Sequence, residues 1–140
     1  MSKRDRDALA QVPLFQGLPA RHLKRIADLA VEERLMQGAT VVKRDDPGDT
    51  FYMILEGEAK VVGSANRVVN HLRPGEWFGE ISLLDGGPRT ASVVAETPLR
   101  VMTLKRGAFM KMLEAEPEVT VKILAQIASL IRRIERPAGG

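Results

Sequence analysis

The sequence predicts a mainly β domain with flanking α-helices, in which seven or eight short strands form a small barrel or sandwich. Between residues 33 and 104, short runs rich in Val, Ile, Thr and aromatic residues alternate with turn glycines. Their spacing of about eight to twelve residues is typical of all-β domains. On both sides of this region, apolar residues recur with the period of an amphipathic helix. A chain of 140 residues is long enough to bury one core.

Two short helices are predicted ahead of the strands. The first lies before Pro13, because a residue that precedes proline disfavours the helical conformation. Leu14 and Phe15 follow as apolar residues free to fill a groove. A second helix is predicted after Pro19, with one apolar face formed by Leu23, Ile26, Ala27 and Ala30. We assign residues 1–32 to this N-terminal helical lead-in.

The strands are predicted from β-branched and aromatic runs bounded by turn residues. We assign residues 33–104 to this strand domain. The runs are TVVKR, FYMILEG, AKVVG, RVVNHL, EWF, TASVVA and LRVMTLK, with tight turns at Pro47-Gly48-Asp49 and Glu56-Gly57-Glu58.

The helical period returns after Leu104, and we assign residues 105–136 to C-terminal helices. Phe109, Met112 and Leu113 share one helix face, and Pro117 opens a longer helix. The longer helix carries a stripe of apolar side chains. We expect this stripe to cover either the rim of the barrel or a second copy of the chain, and the alternative is a direct contact with a ligand. Its members are Val119, Ile123, Ile127, Leu130, Ile131 and Ile134.

Composition excludes several classes of function. The chain has no cysteine and two distant histidines, which excludes disulfides, thiolate nucleophiles and histidine-rich metal clusters. No apolar run is long enough to span a membrane or to act as a secretory signal, so we expect a cytoplasmic protein without membrane contact. The formal charge is +3. We interpret the basic residues near the two ends as solvated termini: Lys3, Arg4, Arg6, Arg132, Arg133 and Arg136.

The segment FGEISLLDGGPRTASV, residues 78–93, carries the strongest functional signal. After the strand EWF it can form one or two helical turns, whose first N–H groups have no partner within the helix. A phosphate at Glu80 to Ser82 would accept hydrogen bonds from those groups, and Gly79 would let the backbone approach closely. The Asp-Gly-Gly-Pro turn then returns Arg89 to the same place, where its guanidinium can hold two phosphate oxygens.

Glu80 indicates what else the anion carries. A carboxylate repels a phosphate unless a group between them donates a proton, as a ribose 2′-hydroxyl would. The pattern therefore predicts a sugar phosphate with a free 2′-hydroxyl, bound by backbone N–H groups, Ser82, Arg89 and Glu80. The alternative is that Glu80 and Arg89 form an ordinary surface ion pair.

This segment resembles the phosphate-binding cassette of the cyclic nucleotide-binding domain family. That family includes kinase regulatory subunits, gated cation channels and catabolite-activator-type regulators. The runs PLFQGL, PGDTFYMILEGEAKV and LRPGEWFGE extend the resemblance over most of the chain. It implies an eight-stranded jelly-roll β-barrel with N-terminal helices and C-terminal lid helices. The matching cassette residues are Phe78-Gly79-Glu80, Ser82-Leu83-Leu84, Pro88-Arg89-Thr90-Ala91 and Val93.

The resemblance implies a cyclic nucleotide site and no catalytic residue, metal or cofactor. Glu80 would accept a hydrogen bond from the ribose, Arg89 and Ser82 would hold the cyclic phosphate, and the base would lie near Val61 and Asn70. Thr90 and Ala91 would line the exit. The full expected set is Phe78, Gly79, Glu80, Ile81, Ser82, Arg89, Thr90, Ala91, Val61 and Asn70.

The resemblance also implies a switch. Phosphate contact would pull the cassette inward and release the helix at Phe109, so that the helix from Pro117 closes over the pocket as a lid. The lid candidates are Leu130 and Ile131, which would pack on the base, and Arg132 and Arg133, which would stack on it. We expect cAMP as the ligand. The alternative is cGMP, because a threonine at the position of Thr90 can hydrogen-bond guanine in relatives.

Two other classes of protein fit the sequence less well, and a third is compatible with nucleotide binding. A cupin-type metalloenzyme would need a histidine-rich set that two histidines cannot supply. Fewer than forty residues follow the strands, too few for both a lid and a DNA-reading module, so direct DNA binding is not expected. A homodimer through the C-terminal helix is compatible with nucleotide binding. The chain would then serve a larger channel, transporter or regulator, whose effector the sequence leaves open.

Overall fold

Eight strands and five α-helices form the fold in a computed structural model that describes residues 2–135. Two helices come first, α1 (Lys3–Ala10) and α2 (Ala20–Leu29), with a 3-10 turn at Pro13–Phe15 between them. The last two helices are α4 (Arg106–Ala115) and α5 (Pro117–Glu135). Between these pairs lie β1 (Val31–Leu35), β2 (Thr40–Val42), β3 (Thr50–Glu56), β4 (Ala59–Val62), β5 (Val68–Leu72), β6 (Trp77–Phe78), α3 (Glu80–Asp85), β7 (Ser92–Ala95) and β8 (Leu99–Lys105).

The strands form two four-stranded antiparallel sheets. Their orders are β1-β8-β3-β6 and β2-β7-β4-β5. In both sheets early strands pair with late ones, which is the double Greek-key connection of a jelly roll. The predicted mainly β fold with eight strands is confirmed. A closed barrel is not, because the ladders within residues 2–135 form two separate sheets.

Strand β1 is absent from the predicted runs. Its sequence, VEERL, has no apolar alternation, and four of its five residues are exposed. It is a strand because its backbone pairs with β8 over its whole length, from Val31 opposite Thr103 to Leu35 opposite Leu99. Tertiary pairing therefore supplies here what the side-chain pattern does not indicate.

One apolar core joins the helices to the first sheet. Phe15, expected to fill a groove, is fully buried and meets Phe51 and Phe109 edge to face, with ring centroids 5.8 and 6.0 Å apart. Leu83 of α3 lies in the same cluster. Each such side chain contributes about 1.5–3 kcal/mol by leaving water. This core therefore connects the cassette helix to α4 through Phe109. A second cluster fills the space between the sheets: Val42, Ile54, Ala59, Leu72, Val93, Ala95, Leu99 and Val101.

Helix α5 has apolar side chains on its exposed surface as well as on its buried face. Val119 and Ile123 are buried, whereas Ile131 and Ile134 of the predicted stripe are exposed. A second row of apolar side chains, at Val121 and Leu124, also faces solvent. The described residues contain no helix that is long and apolar enough to cross a membrane. Of the basic residues near the ends, Lys3, Arg4, Arg6, Arg132 and Arg133 are exposed, and Arg136 lies outside the described residues.

A charged cluster around Arg100 lies between the first sheet and α1. Arg100 of β8 pairs with Glu32 at 2.6 Å and Glu56 at 3.1 Å. It also lies 3.8 Å from Asp5, which α1 buries against the sheet. Arg100 exposes only 18% of its side chain, so these charges are less screened than surface pairs. The cluster reaches the helical lead-in through one long ion pair to Asp5, which adds little to the apolar packing.

Candidate functional site

The segment predicted as a cassette forms a strand, a sharp turn and a short helix. Gly79 joins β6 to α3 with a φ of +88°, a left-handed conformation that favours glycine. A side chain there would also meet the Thr50 carbonyl oxygen at 2.6 Å from its Cβ. Leu83 is the first residue of α3 whose N–H bonds back along the helix, to Gly79 at 3.0 Å. The return path is closed by a bridge between Pro88 and Pro47.

A cavity of about 170 Å³ opens beside this helix. Nine of the ten predicted ligand-binding residues line this cavity, and the exception is Asn70. Asn70 lies opposite Val61 in the β4–β5 ladder, but it is exposed and accepts a hydrogen bond from the His71 N–H at 2.9 Å. The cavity is lined by Val42, Val61, Phe78, Gly79, Glu80, Ile81, Ser82, Pro88, Arg89, Thr90, Ala91 and Val93.

Arg89 is the buried charge of this site. It exposes 8% of its surface, and its Nη2 donates to the Thr50 carbonyl oxygen at 2.9 Å. Its Nη1 is buried without a hydrogen-bond partner among the described residues. Burial lowers the pKa of the guanidinium, while Tyr52 and Asp49 oppose this shift. An unpaired guanidinium nitrogen is costly in the absence of an anion, because desolvation is not compensated.

Nη1 lies at the start of α3. It is 2.7 Å from the position that a Cβ on Gly79 would take, and Gly79 lines the cavity. On the other side, the guanidinium carbon lies 5.8 Å from the centre of the Tyr52 ring. Tyr52 in turn stacks on Phe78, with ring centroids 4.8 Å apart and planes 7° from parallel. The arginine is thus oriented by an aromatic face and a carbonyl oxygen.

Glu80 lines the same cavity. Burial raises the pKa of its carboxyl, while its own backbone N–H and the Trp77 indole oppose the shift. The alternative of a surface ion pair between Glu80 and Arg89 is not what the structure shows. No ion pair among residues 2–135 includes either side chain. Neither charge is therefore neutralised by an ion pair within the described part of the chain.

The remaining cassette residues have different surroundings. Ser82 is buried, and its Oγ donates to the Gly87 carbonyl oxygen at 3.3 Å, which helps to close the cassette. Thr90 is exposed at the rim, and Ile81 exposes 66% of its surface. The Ser82 hydroxyl has to exchange this internal bond if it is to donate to a phosphate.

The four lid candidates do not reach the cavity. Leu130, Ile131 and Arg133 line a separate apolar groove of about 500 Å³, which α5 forms with the 3-10 turn and α3. Arg132 is exposed. The groove and the cavity share Glu80 and Ile81 in their walls. Helix α5 thus lies beside the cassette in this structure, and its closure over the pocket stays a prediction.

Several residues of the site were not predicted from the sequence. Val42 reaches the cavity because β2 pairs with β7, which sets it opposite Val93. Thr50 and Tyr52 orient Arg89 from β3, since the antiparallel pairing of β3 with β6 sets Tyr52 opposite Phe78. Val42 and Tyr52 lie in predicted strands because of their apolar or aromatic character, whereas Thr50 directly precedes the predicted run FYMILEG. No spacing within the sequence indicates which cassette residue these side chains would face.

Comparison with known proteins identifies the family. Residues 32–116 match the family model described as the cyclic nucleotide-binding domain. The chain belongs to the cyclic nucleotide-binding domain family. The resemblance inferred from the cassette sequence is thereby confirmed, and the buried arginine and the short helix α3 lie within the matched residues.

Relatives of this cyclic nucleotide-binding domain are found among kinase regulators. The cAMP-dependent protein kinase regulatory subunit of Colletotrichum orbiculare is 40% identical over 108 residues, covering 76% of this chain and 28% of that protein. The one from Mucor circinelloides is 41% identical over 108 residues, covering 75% and 25%. The chain thus spans about a quarter of the length of these relatives.

Solved structures of bacterial regulators share the fold. The N-terminal domain of a transcriptional regulator from Streptomyces coelicolor superposes with a TM-score of 0.87 at 30% identity, covering 93% of this chain and 96% of that one. The catabolite activator protein of Thermus thermophilus gives a TM-score of 0.70 at 28% identity, covering 88% and 60%. The similarity to the first structure includes nearly the whole cyclic nucleotide-binding domain with its flanking helices.

Proposed function

We propose that this domain is a sensor of cAMP. The nucleotide binds in the cavity beside α3, and its binding changes the position of α5. The observation that carries the proposal is the buried guanidinium of Arg89, whose Nη1 has no partner in the described residues and lies at the start of the cassette helix. A cyclic phosphate supplies the negative charge and the acceptor oxygens that this nitrogen lacks.

Each group has a defined role in this proposal. Arg89 holds the two exocyclic phosphate oxygens together with the backbone N–H groups at the start of α3. Glu80 accepts a hydrogen bond from the ribose 2′-hydroxyl, which its position in the wall of the cavity supports. Val61 and the apolar rim contact the base. Asn70 joins them only if β5 moves, since its side chain now lies outside the cavity.

Binding requires the cassette to open. The cavity of about 170 Å³ is smaller than the roughly 300–1,000 Å³ of small-molecule sites. In addition, Nη1 has almost no accessible surface. The nucleotide therefore has to displace part of the cassette and compete with the Thr50 carbonyl oxygen for the guanidinium. This need for movement couples ligand binding to conformation, because a ligand shifts the equilibrium by its differential affinity for the two states.

The route from the cassette to α5 passes through α4. Leu83 of α3 shares the apolar core with Phe109 of α4. Arg106, the first residue of α4, donates from Nε and Nη2 to the Leu84 carbonyl oxygen at 3.3 and 3.1 Å. A shift of α3 therefore moves α4 and the Pro117 junction. In the closed state we expect Leu130 or Ile131 to cover the base and Arg132 or Arg133 to stack on it.

The preference for adenine rests on the relatives. The matching relatives are named as regulatory subunits of a cAMP-dependent protein kinase. The exposed hydroxyl of Thr90 at the rim is the feature that favours cGMP as the second candidate.

The test is a calorimetric titration of the 140-residue chain with cAMP, cGMP and linear AMP. We expect cAMP to bind more tightly than cGMP. Linear AMP should bind much more weakly, because its terminal phosphate carries an additional charge and lacks the ring. Equal affinity for linear AMP and cAMP contradicts a site built for a cyclic phosphodiester, and tighter binding of cGMP reassigns the base.

A homodimer through α5 is a second property that the structure supports. Helix α5 has four exposed apolar residues at successive spacings of three, four and three positions: Val121, Leu124, Ala128 and Ile131. This is the spacing of a coiled-coil seam. Light scattering with and without cAMP separates a constitutive dimer from one that forms on ligand binding, and a monomer in both conditions rejects the seam.

A further inference from the structure

The loop before β3 has a glycine, Gly48, for which the backbone gives no reason. Within residues 2–135, the glycines in the left-handed region are Gly17, Gly38, Gly57, Gly75, Gly79 and Gly86. Gly48 is not one of them, so an alanine could adopt its backbone conformation without strain. Its lack of a side chain must therefore be explained by the space around it.

That space is occupied by the cassette arginine. A Cβ built on Gly48 would lie 2.6 Å from Arg89 Cζ and 2.8 Å from Arg89 Cδ, and closer still to Nε. Separations below about 3 Å do not occur between carbon atoms in packed interiors, where optimal contacts are about 3.5–4.0 Å. The Arg89 side chain thus passes directly over the Gly48 backbone.

The loop around Gly48 is fixed to the cassette and cannot retreat easily. The Gly48 N–H donates to the Gly87 carbonyl oxygen at 3.1 Å. The Arg89 N–H donates to the Asp46 carbonyl oxygen at 2.9 Å, and the Asp45 N–H donates to the Arg89 carbonyl oxygen at 2.9 Å. A methyl group at position 48 is therefore accommodated by movement of the side chain of Arg89 rather than of the backbone.

We propose that Gly48 is a positioning residue for Arg89, which keeps open the slot in which the guanidinium lies between the Tyr52 ring, the Thr50 carbonyl oxygen and Gly79. The guanidinium carbon lies 5.8 Å from the centre of the Tyr52 ring, Nη2 donates to the Thr50 carbonyl oxygen, and Nη1 lies beside Gly79. An added methyl group displaces the guanidinium from these partners. The consequence for ligand affinity rests on the proposed function, whereas the steric coupling of Gly48 to Arg89 does not.

The first experiment measures cAMP affinity of Gly48→Ala by calorimetric titration, with Gly107→Ala as the matched control. A Cβ on Gly107 would meet nothing within 4 Å, and Gly107 also lies outside the left-handed region. We expect Gly48→Ala to weaken cAMP binding about tenfold or more and Gly107→Ala to leave it within about twofold. Unchanged affinity in Gly48→Ala overturns the proposal.

The second experiment separates the side-chain contact from a general effect on the loop. Thermal unfolding is measured for Gly48→Ala in the natural chain and in Arg89→Ala, where the obstructing guanidinium is absent. We expect Tm to fall by about 2–4 °C in the first background and to rise slightly or stay constant in the second, since alanine restricts the unfolded chain. Equal shifts in both backgrounds reject the coupling to Arg89.

Two further readouts cover other outcomes. If Arg89→Ala does not fold, the Nε–Hε NMR resonance of Arg89 should move in Gly48→Ala and stay in place in Gly107→Ala. An unmoved resonance in Gly48→Ala rejects the proposal. If the natural chain itself binds no cyclic nucleotide, the proposed function fails, and the thermal and NMR comparisons still decide whether Gly48 positions Arg89.

Discussion

Arg89 Nη2 donates a hydrogen bond to the Thr50 carbonyl oxygen at 2.9 Å, which ties the cassette arginine to the first residue of strand β3. These residues are 39 positions apart in the chain. The bond holds the guanidinium at the edge of the cavity while Nη1 stays without a partner in the described part of the chain. Under the proposed function, a ligand phosphate has to compete with the Thr50 carbonyl oxygen for this guanidinium, so the bond sets part of the cost of binding.

Replacement of Arg89 by alanine should weaken cAMP binding on the order of a hundredfold or more. Two charge-assisted hydrogen bonds are lost, each worth about 1.5–3 kcal/mol. Calorimetric titration measures the effect, with Arg67→Ala as a control because Arg67 is an exposed arginine that does not line the cavity. Wild-type affinity in Arg89→Ala excludes the phosphate from this site.

Glu80→Gln should weaken cAMP binding less, by about tenfold, since an amide oxygen still accepts the ribose hydroxyl but without a charge. The comparison ligand is 2′-deoxy-cAMP. It should bind the natural chain more weakly than cAMP does, and that difference should shrink in the variant. A difference of the same size in both proteins means that Glu80 does not contact the 2′-hydroxyl.

The raised pKa of the Glu80 carboxyl predicts a pH dependence of stability. The folded chain keeps the Glu80 proton to a higher pH than the unfolded chain does, since the pKa of this carboxyl in the unfolded chain is near 4.5. The contribution of Glu80 to the free energy of unfolding therefore falls as pH rises from that value through the raised pKa. Thermal unfolding between about pH 4 and 7 should show this fall in the natural chain and less of it in Glu80→Gln. Parallel pH profiles would show that the carboxyl is not desolvated.

Leu83→Ala should lower the free energy of unfolding by about 2–5 kcal/mol, because Leu83 is fully buried among the apolar side chains that join α3 to α4. Urea denaturation gives the value. Ile81→Ala on the same helix is the control: Ile81 is 66% exposed, and its loss should change stability by less than about 0.5 kcal/mol. Similar losses for the two variants would place α3 elsewhere.

Leu124→Glu tests the exposed seam of α5. A charge in the seam should abolish any dimer, since it would be buried without a partner, while leaving cAMP affinity of the monomer unchanged. Leu124 lines neither the cavity nor the adjoining groove. Light scattering of both proteins across a range of concentrations measures the association. A dimer that survives in Leu124→Glu must use another surface.

The sequence by itself determined the class of fold and the cassette. Local signals carried these predictions: turn glycines between β-branched runs, helical periods at both ends, and one contiguous segment with Gly79, Glu80 and Arg89 at short spacing. Glu80 and Arg89 could be assigned to a common site because the Asp-Gly-Gly-Pro turn that reverses the chain lies between them in the sequence. The same locality explains why the eight predicted residues of the cassette line one cavity. Val61 and Asn70 were placed on distant strands by resemblance, and of these two Val61 lines the cavity and Asn70 does not.

The tertiary structure decided everything that depends on which strand meets which. Pairing with β8 made a strand of VEERL, and two separate sheets replaced the closed barrel. Folding also brought Thr50, Tyr52 and Gly48 to the guanidinium of Arg89. These contacts join residues about forty positions apart, and their geometry follows from sheet register and loop packing. The alternation of side chains limits each strand to registers that keep its apolar residues on the buried face, but shifts by an even number of residues and other strand partners satisfy the same pattern.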